Sequence, residues 1–248
     1  MNTIYFWDTE YTLRTRSVPT TGFHHFCPGH LAWMLALTLL ILVLVPLYRQ
    51  WSYHRRQLCR RILAGLLAAD ELFKYGIALF VGDFRPSFLP LHLCSINIFL
   101  IIADAIKPND HLREVLYAIC LPGAFFAMIF PGWNSLPLWN ALCIHSFTAH
   151  ILLFVYPVLL IAEGFRPRFC RLLRCLPWML GAATLVYCLN QWWGTNFMFL
   201  AWAGEGNPLA WFEKLLGTPG YLAGIPVIAA GCWAMLYGLP KQRSSFHK

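Results

Sequence analysis

Charge is what this sequence has least of. Only 12% of its 248 residues are Asp, Glu, Lys or Arg, against about 25% in a typical soluble domain. Polar length is missing too: no hydrophilic stretch exceeds roughly 30 residues, whereas an independent soluble domain takes about 50 or more. One compact membrane domain is therefore expected. The nine cysteines form no CxxC pair and no Cys/His run with zinc-finger spacing, which removes the common structural zinc modules. Internal repeats and low-complexity tracts are absent as well. The first 30 residues are polar and aromatic and lack the short apolar core of a secretion signal, so no cleavable signal peptide is expected.

What fills the chain instead is apolar. Hydrophobic residues make up 58% and mean hydropathy is +0.55. The 11 tryptophans and 10 tyrosines suit a membrane interface, where one end of the side chain is buried and the other is wet. An apolar helix takes about 20 residues to cross roughly 30 Å of hydrocarbon. Runs of that kind fall at 32–48, 62–81, 87–106, 115–133, 141–162, 174–193 and 220–239. The expected fold is all-α, a polytopic membrane protein of seven transmembrane helices. Residues 1–31 form an extracytoplasmic segment, 32–239 the membrane domain and 240–248 a cytoplasmic tail. Pro122 and Pro157 fall inside spans four and five, where a missing N–H kinks a helix.

The basic residues give the orientation. Arg49, Arg55, Arg56, Arg60 and Arg61 follow span one; Lys107 and Arg113 follow span three; Arg166, Arg168, Arg171 and Arg174 follow span five; Lys241, Arg243 and Lys248 follow span seven. These are fourteen of the nineteen Lys and Arg residues, and they mark alternate ends. Positive charge accumulates on the cytoplasmic side, so the N-terminus is expected outside and the C-terminus in the cytoplasm. The net charge of +8 is then a topology signal and implies no nucleic-acid partner.

Ionisable groups inside spans are costly and mark either structural pairs or functional cavities. Span two carries Asp70, Glu71 and Lys74; Asp70 and Lys74 are spaced for pairing on one helix face. Span three opens Leu91-His92-Leu93-Cys94-Ser95-Ile96-Asn97, and span five holds His145 and His150. At 1.5 Å per residue, Cys94 and Lys74 lie roughly 10 Å below the outer surface, His150 roughly 14 Å and Asp70 roughly 16 Å. Asn190 closes span six near the same layer, and Asn196 follows in the 194–219 loop. Groups from four spans thus converge in the outer half of the bundle. Two histidines five apart do not share one face, so neither a metal nor another cofactor is expected. The 194–219 loop ends in an amphipathic stretch, Leu209 to Leu216, which suits either a lid or an interfacial anchor.

Several segments together carry a family likeness: Leu89-Pro90-Leu91-His92-Leu93-Cys94-Ser95, the His145 to His150 stretch with Glu163-Gly164-Phe165-Arg166-Pro167, Gly194-Thr195-Asn196-Phe197-Met198-Phe199-Leu200, and Leu215-Leu216-Gly217. In these the sequence resembles the bacterial YwaF-like integral membrane proteins, which are similar to the animal transmembrane protein 164 ether-phospholipid acyltransferases. The resemblance implies a seven-helix fold in a bacterial inner (cytoplasmic) membrane and acyl chemistry on a membrane lipid. It carries the span-five histidine of the animal enzymes onto His150 and their span-three histidine onto His92. Their nucleophilic cysteine directly precedes that histidine, where this chain has Leu91; Cys94, one turn on, and Ser95 are the nearest nucleophiles.

The function expected is an intramembrane lipid acyl-transfer or lipid-ester-cleaving enzyme. Its candidate catalytic residues are His150 as general base, Cys94 as nucleophile and His92 at the developing oxyanion. Asp70, Lys74, Asn97, His145, Asn190 and Asn196 are candidate supporting or substrate-binding residues. The rival class is a non-enzymatic transporter or lipid-binding subunit using the same polar pocket.

Overall fold

A computed structural model describes residues 3–19, 22–204 and 207–238. The expected cytoplasmic tail, 240–248, and Leu239 at the end of the last expected span lie outside the described residues. Every regular element among those described is helical. In chain order the α-helices are α1 (Glu10–Thr15), α2 (Pro28–Gln50), α3 (Tyr53–Phe80), α4 (Leu93–Ile106), α5 (Asp110–Val115), α6 (Leu121–Ile129), α7 (Ala141–Ala162), α8 (Phe169–Trp193), α9 (Leu209–Leu216) and α10 (Gly224–Gly238). Helices α5 and α6 join through a π-helical turn, Leu116–Cys120, immediately before Pro122. The extra residue in that turn is a recognised answer to a proline whose ring disrupts the preceding turn.

Five segments are long and apolar enough to cross a membrane: Pro28–Gln50, Asp110–Ile129, Ala141–Ala162, Phe169–Trp193 and Gly220–Gly238. The chain is a multi-pass helical membrane protein. Helix α3 is longer than any of these but carries many charges, and α4 has 14 residues, about 21 Å at 1.5 Å each. The expected span 87–106 thus begins later. Pro86 and Pro90 supply no donor and hold their neighbours extended, so the helix starts only after His92, its N-cap residue.

Helix α7 is the hub. It packs against α2, α3, α4 and α6, and 61% of its apolar stretch is buried, against 11% for α2. Burial of α2 on one stripe only leaves Leu35, Leu39, Leu42 and Val43 exposed, the pattern of a lipid-facing helix. Asn140, fully buried, fixes the start of α7. Its Oδ1 accepts from the Leu142 and Cys143 N–H groups, while Nδ2 donates to the Asp8 carbonyl at 2.9 Å. One side chain therefore caps the central helix and ties down the N-terminal segment. A second tie is backbone: the Phe23 N–H donates to the Asn134 carbonyl at 3.0 Å. Gly22 permits that approach, because a Cβ there would stand 1.9 Å from the Asn134 oxygen.

The end of the bundle where α2, α4 and α7 finish is crossed by buried ion pairs. Arg60, 1% exposed, pairs with Glu163, which also accepts from the Tyr48 hydroxyl at 2.8 Å. Arg113 meets Asp104 at 2.9 Å and Glu163 at 3.4 Å, and Tyr156 donates to Asp104 at 3.0 Å. Glu114 accepts from Arg171, Tyr237 and the Arg168 N–H at 2.6–3.0 Å. These carboxylates join α2, α3, α4, α5, α7, α8 and α10, and each buried charge has an opposite partner, as a low-dielectric site demands.

Candidate functional site

At the opposite end the helices diverge around a cavity of about 580 Å³. Its walls come from α3 (Glu71, Lys74), the start of α4 (His92, Cys94, Ser95, Ile98), α6 (Gly123, Phe126, Ala127) and α7 (His145, Ser146, Ala149, His150). Loops close the outer rim: Thr9 and Glu10 from the N-terminal segment, Asp83 and Arg85 before α4, Trp133 after α6, and Phe199, Asn207 and Pro208 from the 194–219 loop. The size and the mixture of an apolar wall with a few convergent polar groups are those of a small-molecule or lipid site.

Of the expected site residues, Lys74, His92, Cys94, His145 and His150 line this cavity. Their partners differ from expectation in one respect. Lys74 pairs with Glu71 at 2.5 Å rather than with Asp70. Helix geometry explains the correction. Leu63, Leu67, Glu71 and Ala78 share the buried stripe of α3, and Lys74, three residues after Glu71, lies on that same face. Asp70 sits 100° away and turns to α7, where it stands 2.9 Å from His145 Nδ1 and accepts from Thr148 at 3.1 Å. Tyr75 donates to Glu71 at 2.7 Å. Glu71 thus joins the site with Trp133, and neither was a sequence candidate. Shared spacing with Leu67 was the signal available for Glu71; Trp133, in a loop, offered none.

His150 has a defined tautomer. Its Nδ1 lies 2.6 Å from the Ser146 carbonyl, an acceptor only, so Nδ1 carries the proton and Nε2 keeps its lone pair. The ring stacks on Trp133 with centroids 4.8 Å apart, which fixes its plane. His92 lies edge-on to Phe197 at 5.0 Å and makes no hydrogen bond among the described residues. Cys94 is in the first turn of α4, which has no side-chain cap, so the N-terminal N–H groups and the positive end of the helix lie beside its sulfur. Among the described residues no hydrogen bond joins Cys94 to His92 or His150.

The remaining candidates stand apart from the wall. Asn97 is buried within α4, its Oδ1 without a hydrogen bond among the described residues. Asn190 bonds Thr195, the Phe197 N–H and the Phe197 carbonyl at 2.8–3.0 Å. Asn196 bonds Ala201 and Trp202 at 2.8–3.2 Å. Both amides staple the loop that brings Phe197 against His92 and Phe199 into the cavity.

A model of the TMEM164 family matches residues 24–237, from the rim segment before α2 to the end of α10. No curated protein and no solved structure matches the chain.

Proposed function

The chain belongs to the TMEM164 family, and from that premise we propose that its cavity is an intramembrane acyl-transfer or lipid-ester-cleaving site. One observation carries the reading. His92 and Cys94 at the head of α4, His150 on α7 and the Lys74–Glu71 pair on α3 face a single cavity. The two further helices, α3 and α4, complete seven spans, with the arginine-rich end in the cytoplasm and the cavity toward the outer leaflet of a bacterial inner membrane.

In this reading Cys94 Sγ attacks the ester carbonyl of a membrane lipid and its proton passes to His150 Nε2. The tetrahedral oxyanion is held by the uncapped first-turn N–H groups of α4 and by His92. His150 returns the proton to the leaving alkoxide, and a thioester remains on Cys94. A lipid hydroxyl, for transfer, or water, for cleavage, then attacks the thioester with His150 as base, restoring the thiol. Catalytic hydrogen bonds often tighten only around substrate, so the missing Cys94–histidine bond is one that substrate has to bring about. Lys74, with its charge partly balanced by Glu71, stands where a head-group phosphate would sit.

The test is incubation of purified protein with phospholipids labelled in the acyl chain, comparing the wild type with His150→Ala and Cys94→Ala. Turnover by the wild type and its loss in both variants is the expected outcome. Retention in Cys94→Ala alone moves the nucleophile to Ser95 or to water. Absence of wild-type turnover across head groups moves the protein to the lipid-binding or transport class.

A further inference from the structure

A second hollow, of about 410 Å³, opens at the end of the bundle opposite the histidine cavity. Five arginines line it, Arg56, Arg113, Arg166, Arg168 and Arg171, with only Asp110 and Glu163 as acids. It is a separate site: Glu163, the residue that ends α7, stands thirteen residues beyond His150, roughly 20 Å at 1.5 Å per residue.

The arginines divide by what holds them. Arg113 and Arg171 are neutralised by Asp104, Glu163, Glu114 and Asp110. Arg56 is not; its guanidinium donates to the Tyr48 and Arg49 carbonyls at 3.0 and 2.6 Å, so it is fixed in place with no carboxylate partner among the described residues. The Arg168 side chain makes no hydrogen bond or ion pair among the described residues, although its backbone N–H is anchored on Glu114 at 3.0 Å. Topology alone asks for positive charge at this end, but a flat or scattered distribution would meet that need. Gathering it round a concavity of ligand size is a different matter.

We propose that this hollow binds a phosphate-bearing anion, with Arg56 and Arg168 as the groups that hold it. Guanidinium forks match phosphate oxygens in pairs and are weakly hydrated, which makes them the preferred ligands for phosphate at a partly buried site. Basic pockets between membrane helices recognise anionic head groups in this way. The same chemistry serves a lipid head group from the adjoining leaflet or a soluble phosphate compound, and the two sources are separable by experiment.

The full-length protein is placed in nanodiscs of neutral phosphatidylcholine, and its unfolding temperature is followed in two titrations at constant ionic strength. One raises the fraction of phosphatidic acid; the other adds inorganic pyrophosphate to neutral discs. Ligand binding to the folded state alone raises the unfolding temperature in proportion to ln(1 + [L]/Kd). Saturable stabilisation is expected, with the midpoint at least fivefold weaker in Arg168→Gln and weaker still in Arg56→Gln/Arg168→Gln. Lys107→Gln, an exposed cation near the same end but outside the hollow, is the matched control and is expected to behave as wild type. A response to phosphatidic acid assigns the site to lipid, and a response to pyrophosphate alone assigns it to a soluble ligand. No response in either arm, or an equal loss in Lys107→Gln, overturns the proposal. Arg168→Gln removes an exposed side chain that makes no hydrogen bond or ion pair among the described residues and leaves the backbone N–H that bonds Glu114, so the fold is expected to persist.

Discussion

Glu163→Gln tests the buried ion network in its most demanding form. The substitution keeps the size of the side chain and an oxygen able to accept from Tyr48, but removes the charge that faces Arg60, 1% exposed, and Arg113, 14% exposed. Two guanidiniums would then share the Asp104 carboxylate, whose other oxygen already accepts from Tyr156. Breaking a buried pair by removing one partner costs about 3–5 kcal/mol, because the remaining ion has lost its water and its counter-charge. At about 2–4 °C per kcal/mol for a chain of this size, the unfolding temperature falls by roughly 6–20 °C. The rise in labelling by a thiol-specific fluorophore during heating, above the background from exposed Cys170 and Cys188, reads this, since buried Cys120, Cys143 and Cys175 become accessible on unfolding. Removing both charges in Arg60→Met/Glu163→Gln restores one cation to one carboxylate and is expected to recover at least half of the loss. A shift under about 2 °C in Glu163→Gln, less than 1 kcal/mol on that scale, or a double variant less stable than the single, refutes the reasoning.

Three further outcomes follow from the cavity. His150→Asn retains a donor for the Ser146 carbonyl and removes the Nε2 lone pair; turnover is expected to fall by about 10²- to 10⁴-fold with the unfolding temperature unchanged. A Cβ at Gly123 would find its nearest neighbour, Leu93 Cδ2, at 4.0 Å, so Gly123→Ala is expected to be tolerated while Gly123→Leu fills the cavity and abolishes lipid turnover without unfolding the protein. Double-mutant cycles on stability are expected to give a coupling of about 0.5–3 kcal/mol for Glu71 with Lys74 and less than about 0.5 kcal/mol for Asp70 with Lys74; the reverse order would return the pairing to the one read from helix spacing.

The sequence by itself determined the class of the protein. Scarcity of charge together with long apolar runs leaves a helical membrane bundle as the way to satisfy every backbone donor and acceptor. Ala141–Ala162 has the limits expected from hydropathy, because no proline interrupts its start and Asn140 caps it. The gathering of Lys74, His92, Cys94, His145 and His150 at one level was also legible, since depth along a helix follows from counting residues. Depth is only one coordinate. Which way a side chain points around its helix axis depends on how that helix is rotated against its neighbours, and local spacing does not contain that angle. So Asp70 was matched with Lys74 on spacing, whereas tertiary packing gave Lys74 to Glu71 and Asp70 to His145. The same holds for Arg60 and Glu163, 103 positions apart, and for Asp8, 132 positions from the Asn140 that holds it. Only the folded bundle brings such groups together. Burying a charge or a polar group without a partner is so costly that the rotation of each helix is decided by whether those distant partners meet.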